Sequence, residues 1–258
     1  MFQMIEVQNL TKTFLQKDGS QLYAVDNLSF TANDGEIVCL LGVNGAGKTT
    51  TMRILSTIFR PTSGTALING YSILRQPQKV RENLGFLSGD TGLYTRLSGR
   101  EFISYFGELY GMTKSQINKH IEEMAELLDM KSFLDKKIDF LSSGMRQKVS
   151  IVRSIIHDPQ VMIFDEPTSG LDILTARNIV SFIRECKIKG KCVLFSTHIM
   201  REAERLADRI VLIHRGRLMA EGTLEALRQD TQQTDLDDIF VTYVNRQNME
   251  AEVMNNEF

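Results

Sequence analysis

An apolar run without polar alternation, Ile37-Val38-Cys39-Leu40-Leu41, passes directly into Gly42-Val43-Asn44-Gly45-Ala46-Gly47-Lys48-Thr49-Thr50. No other stretch constrains the fold as much. A strand that is apolar at every position has both faces to bury, which places it centrally in a covered sheet. The glycines that follow let the backbone curl until several N–H groups face one anion. Residues 48–59 then carry helical spacing, with Met52, Leu55, Ile58 and Phe59 on one side. A helix starting there points its positive end at the same place. Strand, glycine loop and helix in this order predict an α/β sheet that holds a phosphate group at the loop.

The loop fits the pattern G-x-x-x-x-G-K-[ST], from Gly42 to Thr49. In such a loop Lys48 reaches the β- and γ-phosphates of a nucleotide and the Thr49 hydroxyl ligates Mg²⁺. Gly42, Asn44, Gly45, Ala46, Gly47 and Thr50 complete the expected phosphate cradle. The guanine-reading element N-K-x-D is missing, because Asn118-Lys119 is followed by His120 and Ile121. An aromatic able to stack on adenine lies upstream, with Phe14 the first choice and Tyr23 the second.

Two later strands end in chemistry. Val161-Met162-Ile163-Phe164 is apolar and closes with Asp165 and Glu166. At the carboxyl end of a parallel strand, side chains face the ligand crevice. Asp165 is placed to hold Mg²⁺ and Glu166 to orient or deprotonate an attacking water. Leu194-Phe195-Ser196-Thr197 closes in the same way with His198, expected at the γ-phosphate. His120, His157 and His214 lack such a setting and read as ordinary. Leu141-Ser142-Ser143-Gly144-Met145 is a short turn that starts an amphipathic helix through Val149, Val152 and Ile156. It offers a second helix N-terminus able to face an anion.

Between these segments the character changes. Residues 100–134 read as helical, with Phe102, Phe106 and Leu109, then Ile121, Met124, Leu127 and Leu128, at three- and four-residue spacing. This predicts a helical subdomain inserted in the sheet, while alternation at Ile5-Glu6-Val7 and in residues 28–32 predicts an N-terminal antiparallel β portion. The predicted fold is α/β: a P-loop NTPase sheet core, that β portion and the helical insert. Residues 173–189 and 200–208 read as helices, and 210–220 as a hairpin around His214-Arg215-Gly216. Beyond Gly222 the pattern fades into a short helix, a polar linker over 229–235, and a single amphipathic set at Leu236, Ile239, Phe240 and Tyr243. The last dozen residues are expected to be mobile.

Composition narrows the partners. The chain has 258 residues and a net charge of −2, so no global charge draws it to nucleic acid. The longest apolar runs fall far short of the roughly 20 residues a transmembrane helix requires. No signal-peptide pattern opens the chain. Cys39, Cys186 and Cys192 form no metal-type pair, and Cys39 and Cys192 sit in strand-like runs, so all three read as buried hydrophobes of a reducing compartment.

Taken together these segments resemble the ATP-binding cassette ATPases, the nucleotide-binding subunits of ABC transporters. Residues 42–49 look like their Walker A motif and 141–145 like the LSGGQ signature. Residues 161–166 look like Walker B with its glutamate, 169–172 like the D-loop, and His198 like the switch histidine. The resemblance covers roughly residues 4–222. It implies a cassette over 1–222, with a catalytic core of 1–88 and 159–222, a helical subdomain at about 89–158, and an extension over 223–258. It further implies ATP and Mg²⁺ as ligands, a second cassette facing head to tail (a homodimer is expected), and ATP shared between one P-loop and the other subunit's Ser142, Ser143 and Gly144. The partner it implies is a transmembrane permease, which places the chain peripherally at the cytoplasmic face of the cell membrane, with no nucleic acid involved.

Three positions depart from the family pattern. Gly89 stands where a Mg²⁺-contacting glutamine is usual, followed by Asp90 as a possible replacement ligand. Ser143 replaces a glycine and Met145 replaces the signature glutamine. These departures, with residues 88–94 and 144–148, resemble the NatA-type ATPases of bacterial sodium exporters and imply sodium efflux, with export of a drug or other small solute, or a non-transport ABC ATPase, as the alternatives.

Overall fold

The computed structural model describes residues 2–89 and 92–256. Strands β1 (Gln3–Leu15) and β2 (Gln21–Asn33) form a hairpin, and β3 (Ile37–Leu41) leads through the glycine loop into helix α1 (Lys48–Leu55). Then come β4 (Ser63–Ile68), β5 (Tyr71–Ser72), α2 (Pro77–Asn83) and β6 (Leu84–Leu87). The helical middle is α3 (Gly99–Leu109), α4 (Lys114–Leu127), a 3-10 turn at Ile138–Phe140, and α5 (Ser143–Ile155). The chain closes with β7 (Val161–Asp165), α6 (Ile173–Ile188), β8 (Cys192–Thr197), α7 (Met200–Leu206), β9 (Arg209–His214), β10 (Arg217–Gly222), α8 (Leu224–Thr231) and α9 (Leu236–Asn256).

Two sheets result. One is antiparallel with order β2-β1-β4-β5; the other has order β10-β9-β3-β8-β7-β6. In the second, β9, β3, β8, β7 and β6 run parallel and β10 folds back against β9. The unbroken apolar runs follow from burial on both faces. Ile37, Cys39 and Leu41 of β3 point into one core, together with Phe102, Phe182 and Ile239 from the helices. Val38 and Leu40 point into the other, with Ile5 and Phe30 of the antiparallel sheet and Met52 of α1. The strands β7, β8 and β9 split in the same way. The three cysteines are free and buried, and burial pushes their thiols upward from the usual range.

The helical insert is delimited by its caps. Ser98 with Glu101 and Thr113 with Gln116 each form a capping box, satisfying N–H groups at the starts of α3 and α4. Two sequence expectations need correction. The spacing at residues 48–59 does not make one helix, because α1 stops at Leu55: Thr57 adopts a left-handed φ of 64° and Ile58 is exposed. The stretch read as a single amphipathic set at Leu236, Ile239, Phe240 and Tyr243 is the start of a longer helix that runs on to Asn256. Gln232 ends α8 in the left-handed conformation, after which Leu236, Ile239 and Phe240 bury the start of α9 in the main core. Tyr243 and Arg246 both bond Asp230, which ties α9 back to α8.

His157 stacks on Tyr110 with ring centroids 3.7 Å apart and planes within 6°. Burial lowers its pKa from the ordinary 6.5 to about 4. The folded state therefore resists the proton that the unfolded chain accepts near 6.5, so stability falls as pH drops from there towards 4. The expected loss is about 2 kcal/mol between pH 7 and pH 5. Urea denaturation at the two pH values measures it, and His157→Phe should flatten that dependence.

Candidate active site

Register brings the chemistry to one edge. Leu41, the last residue of β3, pairs with Thr197 of β8 and Leu212 of β9; Ser196 of β8 pairs with Asp165 of β7; Phe164 pairs with Leu87 of β6. The glycine loop, Asp165-Glu166 and His198 thus leave the sheet at its carboxyl edge, side by side. Ligands bind at that edge of open α/β sheets.

The loop is held tightly. Gly47 has a φ of 105°, and a Cβ there would meet the Ala24 carbonyl oxygen at 2.3 Å, so only glycine fits. Lys48 is 5% exposed; its Nζ donates to the carbonyls of Gly42 at 2.7 Å and Val43 at 3.2 Å. The same nitrogen lies 3.6 Å from Glu166 Oε1. Burial pulls the lysine pKa down, and Glu166 with Asp165 partly offsets this.

Glu166 turns the chain sharply away from β7 with a φ of 47°. A non-glycine residue in that region is uncommon and is often found at functional sites. Its backbone N–H donates to Ser196 Oγ at 3.0 Å, and the same hydroxyl donates to Asp165 Oδ1 at 2.6 Å. Ser196, which sequence reasoning passed over, therefore orients both acidic residues. His198 Nδ1 lies 3.1 Å from Glu166 Oε1. One carboxylate oxygen is thus shared between a lysine and a histidine arriving from two other strands.

A cleft of about 570 Å³ opens above the loop. The loop residues 44–50 and Glu166 line it together with Phe14, Leu22, Tyr23, Ala24 and Arg215. Phe14 and Tyr23 both line it, on neighbouring strands where Thr13 pairs with Tyr23 and Phe14 with Leu22. Phe14 is steadied by Phe59, edge-on at 6.0 Å, and by Lys12 at 5.1 Å.

The donor set suits Mg²⁺. No cluster of three or more His, Cys, Asp or Glu able to cage a metal occurs among the described residues. Magnesium is usually bound through one or two carboxylates, substrate phosphates and water. The Thr49 hydroxyl in the cleft and the nearly buried Asp165 carboxylate match that requirement. Gly89 lies two residues past the end of β6, at the same edge, and has no side chain to offer; Asp90 falls outside the described residues.

The segment at 141–145 does not join this cleft within one chain. Ser142 caps α5 by accepting from the Met145 N–H at 3.3 Å, and Ser142 and Ser143 are exposed. Gly144 is buried where a Cβ would sit 3.0 Å from Thr175, which holds α5 close to the start of α6. Met145 packs against the main core. Gln147 donates to the Pro167 carbonyl at 2.8 Å, linking α5 to the turn after Glu166.

Fold and site together define an ATP-hydrolysing P-loop cassette. Residues 25–169 match the family model described as "ABC transporter". The chain is 38% identical over 240 residues to the ABC transporter ATP-binding protein NatA of Bacillus subtilis, covering 93% of this chain and 97% of that protein. It is 35% identical to the doxorubicin resistance ATP-binding protein DrrA of Mycobacterium tuberculosis, covering 87% and 67%. The ATP-binding cassette MJ0796, solved as a dimer in a post-hydrolysis state bound to ADP and Pi, superposes with a TM-score of 0.77 at 25% identity, covering 85% of this chain and 98% of that one. The chain belongs to the ABC transporter family, as an ATP-binding and ATP-hydrolysing subunit. No helix among its described residues is long and apolar enough to cross a membrane.

Proposed function

We propose that this chain energises export through a separate transmembrane permease, acting from the cytoplasmic face of the membrane as a pair of cassettes. The observation that carries the reading is the convergence of Lys48, Glu166 and His198 at the sheet edge, with Glu166 Oε1 at 3.6 Å from one and 3.1 Å from the other. Lys48 binds the β- and γ-phosphates, and the loop N–H groups hold the rest of the triphosphate. Mg²⁺, held by Thr49 and Asp165, would neutralise charge on the phosphates. Glu166 accepts the proton of the attacking water, and His198 fixes the carboxylate and contacts the γ-phosphate. Phe14, with Tyr23 beside it, supports the base.

Ser142, Ser143 and Gly144 lie outside the cleft of their own chain. They meet ATP only if a second cassette packs head to tail, and the dimeric form of MJ0796 supports such a pairing. The domain boundaries proposed are a cassette over 1–222, with its core at 1–88 and 159–222 and its helical subdomain at about 89–158, and an extension over 223–258. A closed pair that binds ATP more tightly than the open pair converts nucleotide binding into work on the permease.

The exported substrate proposed is the sodium ion, supported by the likeness to NatA across nearly the whole of both chains. The likeness to a doxorubicin resistance protein favours drug export as the second reading. The test is reconstitution of the chain with the membrane protein that co-purifies with it. ATP-dependent ²²Na⁺ flux supports the first reading. Doxorubicin flux without sodium flux supports the second, and failure to co-purify with any membrane protein counts against both.

A further inference from the structure

We propose that Arg215 and the C-terminal helix α9 form the outer wall of the nucleotide cleft and contact the ribose and base end of bound ATP. The proposal rests on the reading of the P-loop cleft as the ATP site.

Arg215 stands at the tip of the β9–β10 hairpin with a φ of 47°. The turn is stitched to the glycine loop. The Gly216 N–H donates to the Ala46 carbonyl at 2.9 Å, and the Asp26 N–H donates to the Gly216 carbonyl at 2.8 Å. Arg217 adds an ion pair to Asp26 at 2.6 Å. The backbone of Arg215 is therefore fixed relative to the phosphate loop. Its side chain is exposed and makes no hydrogen bond or ion pair among the described residues. Of the residues lining the cleft, only Lys48 and Arg215 are cationic.

A second cavity, of about 440 Å³, adjoins the cleft. The two share Tyr23 and Arg215, and Gln247 and Asn248 of α9 line the second. The aromatic platform for the base thus opens toward α9. A guanidinium offers only donors and stacks well on flat rings, which suits the ribose oxygens and the acceptor nitrogens of a purine. Carboxamides offer a donor and an acceptor together, the pattern a purine edge pairs with. The helix is also joined mechanically to the turn. The His214 ring, next to Arg215, lies edge-on to Phe240 of α9 at 6.1 Å, and Phe240 is itself buried. The extension so becomes part of the nucleotide site rather than an appendage to it.

The test is calorimetric titration of the full chain with ATP and with inorganic tripolyphosphate, both with magnesium. Arg215→Ala should weaken ATP binding about tenfold, a change of about 1.4 kcal/mol. The pair Gln247→Ala and Asn248→Ala should weaken it several-fold. Tripolyphosphate, which lacks ribose and base, should bind both variants as it binds the unaltered chain. The proposal is overturned if either variant binds ATP within twofold of the unaltered chain, or if tripolyphosphate weakens in parallel with ATP. Lys48→Ala in the same titrations separates the two levels of the reading. Loss of both ligands there leaves the ATP site standing whatever Arg215 does, whereas unchanged binding removes the site itself.

Discussion

Glu166→Gln is expected to slow ATP hydrolysis about 10²- to 10⁴-fold while leaving ATP binding intact. Glutamine keeps the length and shape of the side chain, and the backbone contact of residue 166 to Ser196 does not involve the side chain. What disappears is the negative charge between Lys48 and His198. An amide oxygen can still accept a hydrogen bond, but it cannot take a proton from water near neutral pH. Hydrolysis therefore stalls after binding. For a cassette that closes on ATP, the stalled complex should accumulate as a dimer. Phosphate release gives the rate, and light scattering with MgATP gives the mass. A variant that hydrolyses at the normal rate and stays monomeric would remove Glu166 from the role assigned to it.

Much of the sheet was legible because burial leaves a mark on both faces of a strand. β3, β7 and β8 are apolar almost throughout since each alternate residue meets a different core. The site residues at their ends were legible for the same reason: a polar group closing such a strand has only the sheet edge to occupy. Ser196 was less so. Its role depends on facing Asp165 across two strands, and pairing register is not written in either strand alone. Arg215 was hidden in an ordinary hairpin turn, and only the bonds from Gly216 and to Asp26 show that the turn is fastened to the loop. The end of α1 was misread because apolar spacing continues through Ile58 and Phe59 while the backbone reverses at Thr57. Helix α9 was underestimated because its apolar face is confined to its first turns; beyond Tyr243 the sequence is mostly polar, and the ties to Asp230 are long-range contacts.

Lys48→Ala is expected to reduce ATP turnover by about 10²- to 10³-fold or more, the scale seen when one preorganised donor to a developing charge is removed. The loss has two physical sources. The ammonium is the cation carried by the phosphate loop, and its removal leaves the triphosphate facing Glu166 with one counter-charge fewer. The lysine also spans the loop, donating to the Gly42 and Val43 carbonyls, so the alanine chain loses a tie that shapes the curl. These sources are separable. If the loop merely loosened, Lys48→Arg, which restores charge and donors, would recover turnover together with loop stability. If the placement of the charge matters, Lys48→Arg recovers loop stability without turnover, and Lys48→Met, which restores volume but neither charge nor donor, recovers neither. The planar fork of arginine cannot place donors as a compact ammonium does. Measured ATP affinity should fall in all three variants, unlike the Glu166→Gln chain, where affinity holds and only the rate collapses. Unchanged turnover in Lys48→Ala would refute the assignment of the loop, and with it the chemistry at the whole sheet edge.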